Sequence, residues 1–251
     1  MNIFSPLEQF QITTLIPLHF LHYNISFTNG TIFLILTTVI AYTVFQISML
    51  QATIVPNNWQ YVVESLYSFV LEKLVYDLIP NKNGQQFFPF IFTLFVFILF
   101  SNELGMIPYT FTITSHLFIT FSLGMMMFTA VIVVGFRTHG LHFFALFCPA
   151  GIPLAIAPLL IAIELVSFCF KVISISVRLF ANVMAGHALF KILAGFAWTM
   201  LSLGFLGWVG SFTILSFIVA FTALEIVIGF IQAYIFTLLT CLYLNEAIHL
   251  H

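Results

Sequence analysis

Charge is the scarcest feature of this 251-residue chain: Lys and Arg number six, Asp and Glu eight, and together they make up 6% of the residues. An ordinary soluble domain carries roughly 25%. So little charge excludes a globular domain wetted on all sides. The formal net charge of −2 excludes a nucleic-acid partner or a strongly acidic one. Cysteine is nearly missing as well. Cys148, Cys169 and Cys241 stand alone in apolar surroundings with no paired spacing, so they read as packing residues and not as a disulfide framework or metal site. No basic residue precedes Lys73, so a leader with a basic region before an apolar one is not expected, and the chain is expected to insert whole.

What fills the space is apolar. Hydrophobic residues make up 62% of the chain and aromatics 18%, and the mean hydropathy is +1.16. At about 20 residues per crossing, the chain has room for five or more spans, and the predicted class is an all-α integral membrane protein forming a single membrane domain, residues 1–251. Residues 1–30, with Pro6, Pro17 and Gly30, read as a short surface tail. Spans are predicted over 31–50, 88–107 and 116–136, each roughly perpendicular to the bilayer. Between the first two, "WQYVVESLYSFVLEKLVYDLI" (59–79) places Glu64, Ser68 and Glu72 opposite Val63, Leu66, Val70 and Leu74, the pattern of an amphipathic helix on the membrane surface. "RTHGLHFFALFCPAGIP" (137–153) reads as a loop or re-entrant piece. Two long apolar stretches follow, 154–202 and 205–247. A helix of about 40 residues is about 60 Å long, twice the hydrocarbon thickness, so both should tilt strongly, joined by a turn between Leu203 and Gly210. Lys73, Lys82 and Arg137 fall on one side if the first three spans alternate, which marks that side as cytoplasm or matrix; the amino terminus then lies opposite, and the carboxyl terminus with His249 and His251 on the matrix-like side.

Within the last two stretches polar groups recur where lipid should forbid them: Glu164, Lys171, Arg178, Asn182, His187 and Lys191, then Glu225, Gln232 and Glu246. A charge at mid-membrane costs at least about 2.5–3.5 kcal/mol, so a series of them implies a wet path. In an antiparallel hairpin, facing positions should sum to about 410, which sets Arg178 opposite Gln232, Glu164 opposite Glu246 and His187 near Glu225. At 100° per residue, Glu164, Lys171, Arg178 and Asn182 share one face, whereas His187 lies about 180° round from Arg178. The path is therefore offset. Two half-paths with an always-charged guanidinium between them would block a proton leak, and the guanidinium could attract a partner's carboxylate.

At these residues the chain resembles subunit a of the F-type ATP synthase. The resemblance rests on "SPLEQF", "NELGMIPYTFTITSHL", "VRLFANVMAGH" and "ALEIVIGFIQAYIFTLLTCLYLNEAIHLH", and it covers nearly the whole chain. It implies a proton-translocating stator subunit that faces a ring of c subunits, alongside peripheral-stalk and other membrane-sector partners. Arg178 would face the ring carboxylate, with Asn182 and Gln232 as polar neighbours. His187 and Glu225 would belong to the inlet, Glu164 and Glu246 to the outlet, with His116 and Glu103 as inlet auxiliaries. The His187 and Glu225 combination looks like the mitochondrial form, which implies the inner mitochondrial membrane, amino terminus toward the intermembrane space and carboxyl terminus toward the matrix. Glu103 departs from the family, whose relatives usually carry an uncharged residue there. Neither cofactor nor metal is implied, and no bond-making chemistry falls to this chain.

Blander readings stand beside these. Arg178 could form a structural ion pair with Glu164 or Glu225. Lys171 and Lys191 read as snorkelling or paired. His116 suits a helix start, and His139 with His142 suits a solvated loop better than a metal site, since no further ligands lie nearby. Glu64 and Glu72 suit the wet face of a surface helix. Among other classes, a secondary transporter would show internal repeats, and a haem subunit would need histidine pairs within spans. The runner-up is an antiporter-like proton-pumping subunit of a respiratory complex, which would spread lysines and glutamates over several helices.

Overall fold

The computed structural model describes residues 8–17, 19–20, 23–24, 26–50, 52–79, 83–107, 110–140, 142–143 and 157–248. Among the described residues six α-helices carry the fold. In chain order they are α1 (Asn29–Met49), α2 (Asn58–Phe69), α3 (Asn83–Gly105), α4 (Leu117–His139), α5 (Ala157–Met200) and α6 (Phe205–Ile248). All but α2 are long and apolar enough to cross a membrane. The class is all-α, as composition requires. With no water to satisfy backbone groups in lipid, a chain this apolar can span only as helices or as a closed barrel.

α2 begins at Asn57, whose side chain accepts from the Asn58 amide, and it runs on without a break into a π-helical stretch, Val70–Tyr76. Val63, Val70 and Leu74 are buried and Glu64 and Glu72 exposed, so the two predicted faces are present. Before α1, the residues read as a tail form short antiparallel pairs instead: β1 (Thr14–Ile16) with β4 (Phe27–Thr28), and β2 (His19–Phe20) with β3 (Tyr23–Asn24). Backbone groups that a tail would leave to water are thereby paired. Of the segment 137–153, residues 141 and 144–153 lie outside the described residues, as do Lys82, Cys148, His249 and His251.

α5 and α6 are 44 residues each. The break between them is a single 3-10 turn, Leu201–Leu203, followed by Gly204. It comes slightly earlier than the glycine run "LGFLGWVG" suggests. Gly204 has φ +78°, a region where a Cβ is penalised, so this one glycine suffices. Gly207 and Gly210 are already helical.

The chain forms two compact units: Met1–Ala41 with Phe97–His116 and Leu179–Gln232, and Tyr42–Val96 with Leu117–Arg178 and Ala233–His251. The first, called the turn-proximal unit below, thus holds the halves of α5 and α6 nearest their turn. The second, the turn-distal unit, holds their far halves together with α2 and α4. There the core is close-packed around Leu74, Val75, Ile79 and Ile91, all fully buried, with Phe69 tilted between the rings of Phe95 and Tyr234. Gly124 of α4 lets that helix approach α5, since a Cβ there would meet Ser176 and Val172.

Candidate functional site

In the turn-proximal unit α5 contributes Asn182, His187 and Lys191, α6 contributes Glu225 and Gln232, and the end of α3 contributes Asn102 and Glu103. The helices meet closely because they are small where they touch. A Cβ on Gly186 would land on the Glu225 carboxylate, and one on Gly210 would lie 3.0 Å from Met200 Sδ. Both contacts fit the antiparallel register expected from the sequence. Asn102, 4% exposed, donates its Nδ2 to the Gly229 carbonyl at 3.2 Å. The Glu103 carboxylate lies over the same glycine, 3.1 Å from where a Cβ would stand. Gly229 thus admits two polar side chains one helical turn beyond Glu225.

Two cavities adjoin here. The larger, about 900 Å³, is lined by Gln9, Asn29, Thr110, Thr112, His187, Lys191 and Thr222 among apolar walls that include Phe33, Phe111 and Phe190. The smaller, about 20 Å³, is lined by Asn102, Asn182, His187, Glu225 and Gln232 with Met106 and Gly229. That is room for about one water molecule. His187 and Met106 line both cavities, so the histidine stands at the partition. Its Nε2 is buried without a hydrogen-bond partner, and so are both oxygens of Glu225 and Oδ1 of Asn102. Buried polar atoms in native structures are nearly always paired. Here several such atoms gather at the wall of the small cavity.

His116 is not part of either lining. It stacks on Phe111, 4.9 Å between centroids and 21° between planes, and Phe111 faces the larger cavity. Burial pushes its pKa below the usual histidine value of 6.5.

In the turn-distal unit Lys171 lies 3.9 Å from Glu246 Oε2 and 4.9 Å over the ring of Tyr243. The paired reading of this lysine therefore holds. Tyr243 is within electrostatic reach of both Glu246 and Arg178. The expected register sets position 239 opposite Lys171, and the long lysine side chain reaches Tyr243 and Glu246 farther along α6. Glu164 and Arg178 are exposed on α5, and Lys171 is the ion-pair partner of Glu246. On α4, His139 Nε2 bonds the Ile248 carbonyl at 2.9 Å, tying down the last turn of α6 two residues beyond Glu246.

The structure therefore brings Asn182, His187, Glu225 and Gln232 to one small cavity and gives Glu246 a lysine partner. Asn102, Gln9 and Thr222 were not singled out from sequence. The signal for Asn102 was present: a carboxamide in an otherwise apolar helix end, beside the unusual Glu103. Nothing local marked Gln9 or Thr222, because only the fold carries them to a cavity.

Comparison with known proteins supplies the family. The family model described as ATP synthase A chain matches residues 31–245. The chain is 48% identical over 250 residues to ATP synthase subunit a of Marchantia polymorpha, covering 98% of this chain and 99% of that one. It is 48% identical over 249 residues to ATP synthase subunit a of Chondrus crispus, covering 99% and 98%. With ATP synthase subunit a-2 of Arabidopsis thaliana it is 48% identical over 259 residues, covering 100% of this chain and 73% of the relative. Matches at this level along the full length, on a chain of long apolar helices, leave one conclusion: it belongs to the ATP synthase A chain family.

Proposed function

We propose that the chain is the proton-translocating stator subunit of the ATP synthase membrane sector, with two offset half-channels that deliver protons to a rotating c-ring and collect them from it. The observation that carries this reading is the position of His187. It stands between a cavity large enough to hold many waters and a one-water cavity that contains the Glu225 carboxylate, Asn182 and Gln232. A proton can pass from the vestibule to the imidazole, then through the small cavity to Glu225, and no continuous water file is needed. Neither Glu225 oxygen is held by a fixed donor, which suits a group that must take up and pass on a proton.

Arg178 then acts as the divider. Its guanidinium is permanently charged and lies on the exposed side of α5, among exposed Ile173 and Val177. Such a face can lie against an apolar ring and draw a ring carboxylate into its ionised form. The proton released there leaves by way of Glu164 and Glu246, with Lys171 and Tyr243 setting the position of Glu246. Glu103 and His116 assist the inlet. Each charge that crosses gains about 2.3 kcal/mol per 100 mV, and the offset of the half-paths turns that gain into rotation. ATP is made by other subunits. The His187 and Glu225 combination supports a mitochondrial inner-membrane location, and the distribution of Lys73, Lys82 and Arg137 supports an amino terminus toward the intermembrane space and a carboxyl terminus in the matrix. Peripheral-stalk and other membrane-sector subunits complete the set of partners.

The test is an exchange of the inlet pair. His187→Gln and Glu225→Gln should each lower proton-driven ATP synthesis in membrane vesicles by about tenfold or more, the usual weight of a positioned proton-transfer group. The double exchange, His187→Glu with Glu225→His, should retain more flux than either half of the exchange made alone. A double variant no better than its worse half would mean that the two side chains do not share a proton path.

A further inference from the structure

We propose that Phe10 is a positioning residue for the inlet, holding the His187 ring at the partition, and that residues 9–13 form a fixed cover of the vestibule; this rests on the proton path proposed above.

The amino-terminal segment is stapled to the first turn of α1. Asn29 Nδ2 donates to the Gln11 carbonyl at 3.1 Å, and Asn29 Oδ1 accepts from the Thr13 amide at 3.2 Å. The Asn29 amide in turn donates to the Thr13 carbonyl at 3.1 Å. Pairing of Thr14 with Thr28 and of Ile16 with Phe27 continues the attachment. One asparagine thus satisfies groups 16 and 18 residues away in sequence, a role its short amide suits well. The attachment fixes the direction of the 3-10 turn Glu8–Phe10 that precedes it.

That turn delivers two side chains to the inlet. Gln9 lines the larger cavity together with Asn29. Phe10 sets its ring against His187, centroids 6.3 Å apart and planes at 75°, the edge-to-face arrangement that aromatic quadrupoles favour. His187 Nε2 is buried without a hydrogen-bond partner, so packing contributes to the orientation of the imidazole, and among the described residues Phe10 sets an aromatic ring against it. A proton relay depends on that orientation, since the ring must present one nitrogen to each side of the partition.

The experiment uses the intact ATP synthase in sealed inner-membrane vesicles, with rates expressed per assembled complex from native gels. Phe10→Leu, Phe10→Tyr, Asn29→Ala, His187→Gln, and Phe10→Leu combined with His187→Gln are compared for proton-driven ATP synthesis across a range of pH on the inlet side. Phe10→Leu is expected to slow synthesis by about three- to tenfold, the worth of an aromatic pair, and to shift the pH profile. Phe10→Tyr should stay within about twofold of the parent. Asn29→Ala, which frees the staple without touching either ring, should reproduce the loss. In the His187→Gln background Phe10→Leu should cost nothing further, because its effect is routed through the imidazole. An equal loss from Phe10→Leu in both backgrounds, or a normal rate and unchanged pH profile in Phe10→Leu, would overturn the positioning role. A normal rate in His187→Gln itself would overturn the proton path, and the positioning role with it.

Discussion

Replacing Gly186 with alanine separates the fold from the path at a single atom. In a helix interior alanine is favoured over glycine by about 1 kcal/mol, so α5 itself gains from the change. The added Cβ, however, would sit 2.7 Å from the Glu225 carboxyl carbon and 3.2 Å from Oε2, with Oε1 nearer still. An ordinary contact needs about 3.4 Å or more. The carboxyl group must therefore retreat by nearly an ångström, which the end of a flexible side chain can do at little cost in stability. A displacement of about 1 Å in a reacting group can cost on the order of 100-fold in rate, equivalent to about 2.7 kcal/mol of barrier. The expected outcome is an enzyme that assembles in normal amount and resists heat as well as the parent, yet makes ATP from a proton gradient between 10- and 100-fold more slowly. Native gels and synthesis rates in the same vesicle preparation give both quantities. Normal synthesis at normal assembly would refute the reasoning, for it would mean that Glu225 works from somewhere other than its place against Gly186.

Arg178→Lys should lose nearly all proton-driven synthesis, since lysine has neither the planar fork nor the permanent charge; a rate near that of the parent removes the assigned role. Asn102→Leu leaves the Gly229 carbonyl its intrahelical partner, so it should cost about 1 kcal/mol in stability but slow proton uptake about tenfold by turning one wall of the small cavity apolar, and an unchanged uptake would show that wall to be idle. Lys171→Gln removes the counter-charge of Glu246; both side chains are partly exposed, so assembly should hold while passive proton conduction through the membrane sector changes severalfold, and identical conduction would make the pair structural only. For His116 the sign is fixed by burial: the folded protein binds the proton more weakly than the unfolded chain, so stability falls as pH drops below about 6.5. His116→Phe, which keeps the stack on Phe111, should flatten the decline in thermal midpoint between pH 7 and 5, and equal slopes in the two proteins would count against it.

The helices were legible because charge-free runs of 20 or more residues have few other solutions in lipid, and the polar residues were legible because each is costly where it stands. The meeting of α5 and α6 near their turn also followed from numbering alone, since a short connection fixes register on both sides of it. Farther from the turn numbering said less: Lys171 meets Tyr243 and Glu246 through the reach of long side chains, which a register sum does not encode. The π-helical stretch Val70–Tyr76 left no mark in the pattern. It belongs to a segment where Val70, Leu74 and Val75 are all fully buried, and the adjacent pair 74 and 75 cannot share one narrow α-helical stripe. The amino-terminal pairing was hidden for a different reason. Its bonds run from Asn29 to residues 11 and 13, and no periodicity encodes a contact between a loop and a helix start.

The turn at Leu201–Gly204 also constrains how this chain can change in length. Inserting one residue there would rotate and advance every position of α6 against α5, taking Glu225 off Gly186. The same insertion in the connections between the earlier helices would be taken up locally. Lineages of this chain should therefore vary in length freely outside 186–225 and hold a constant count within it, or else gain and lose residues there in compensating pairs, one on each side of Gly204.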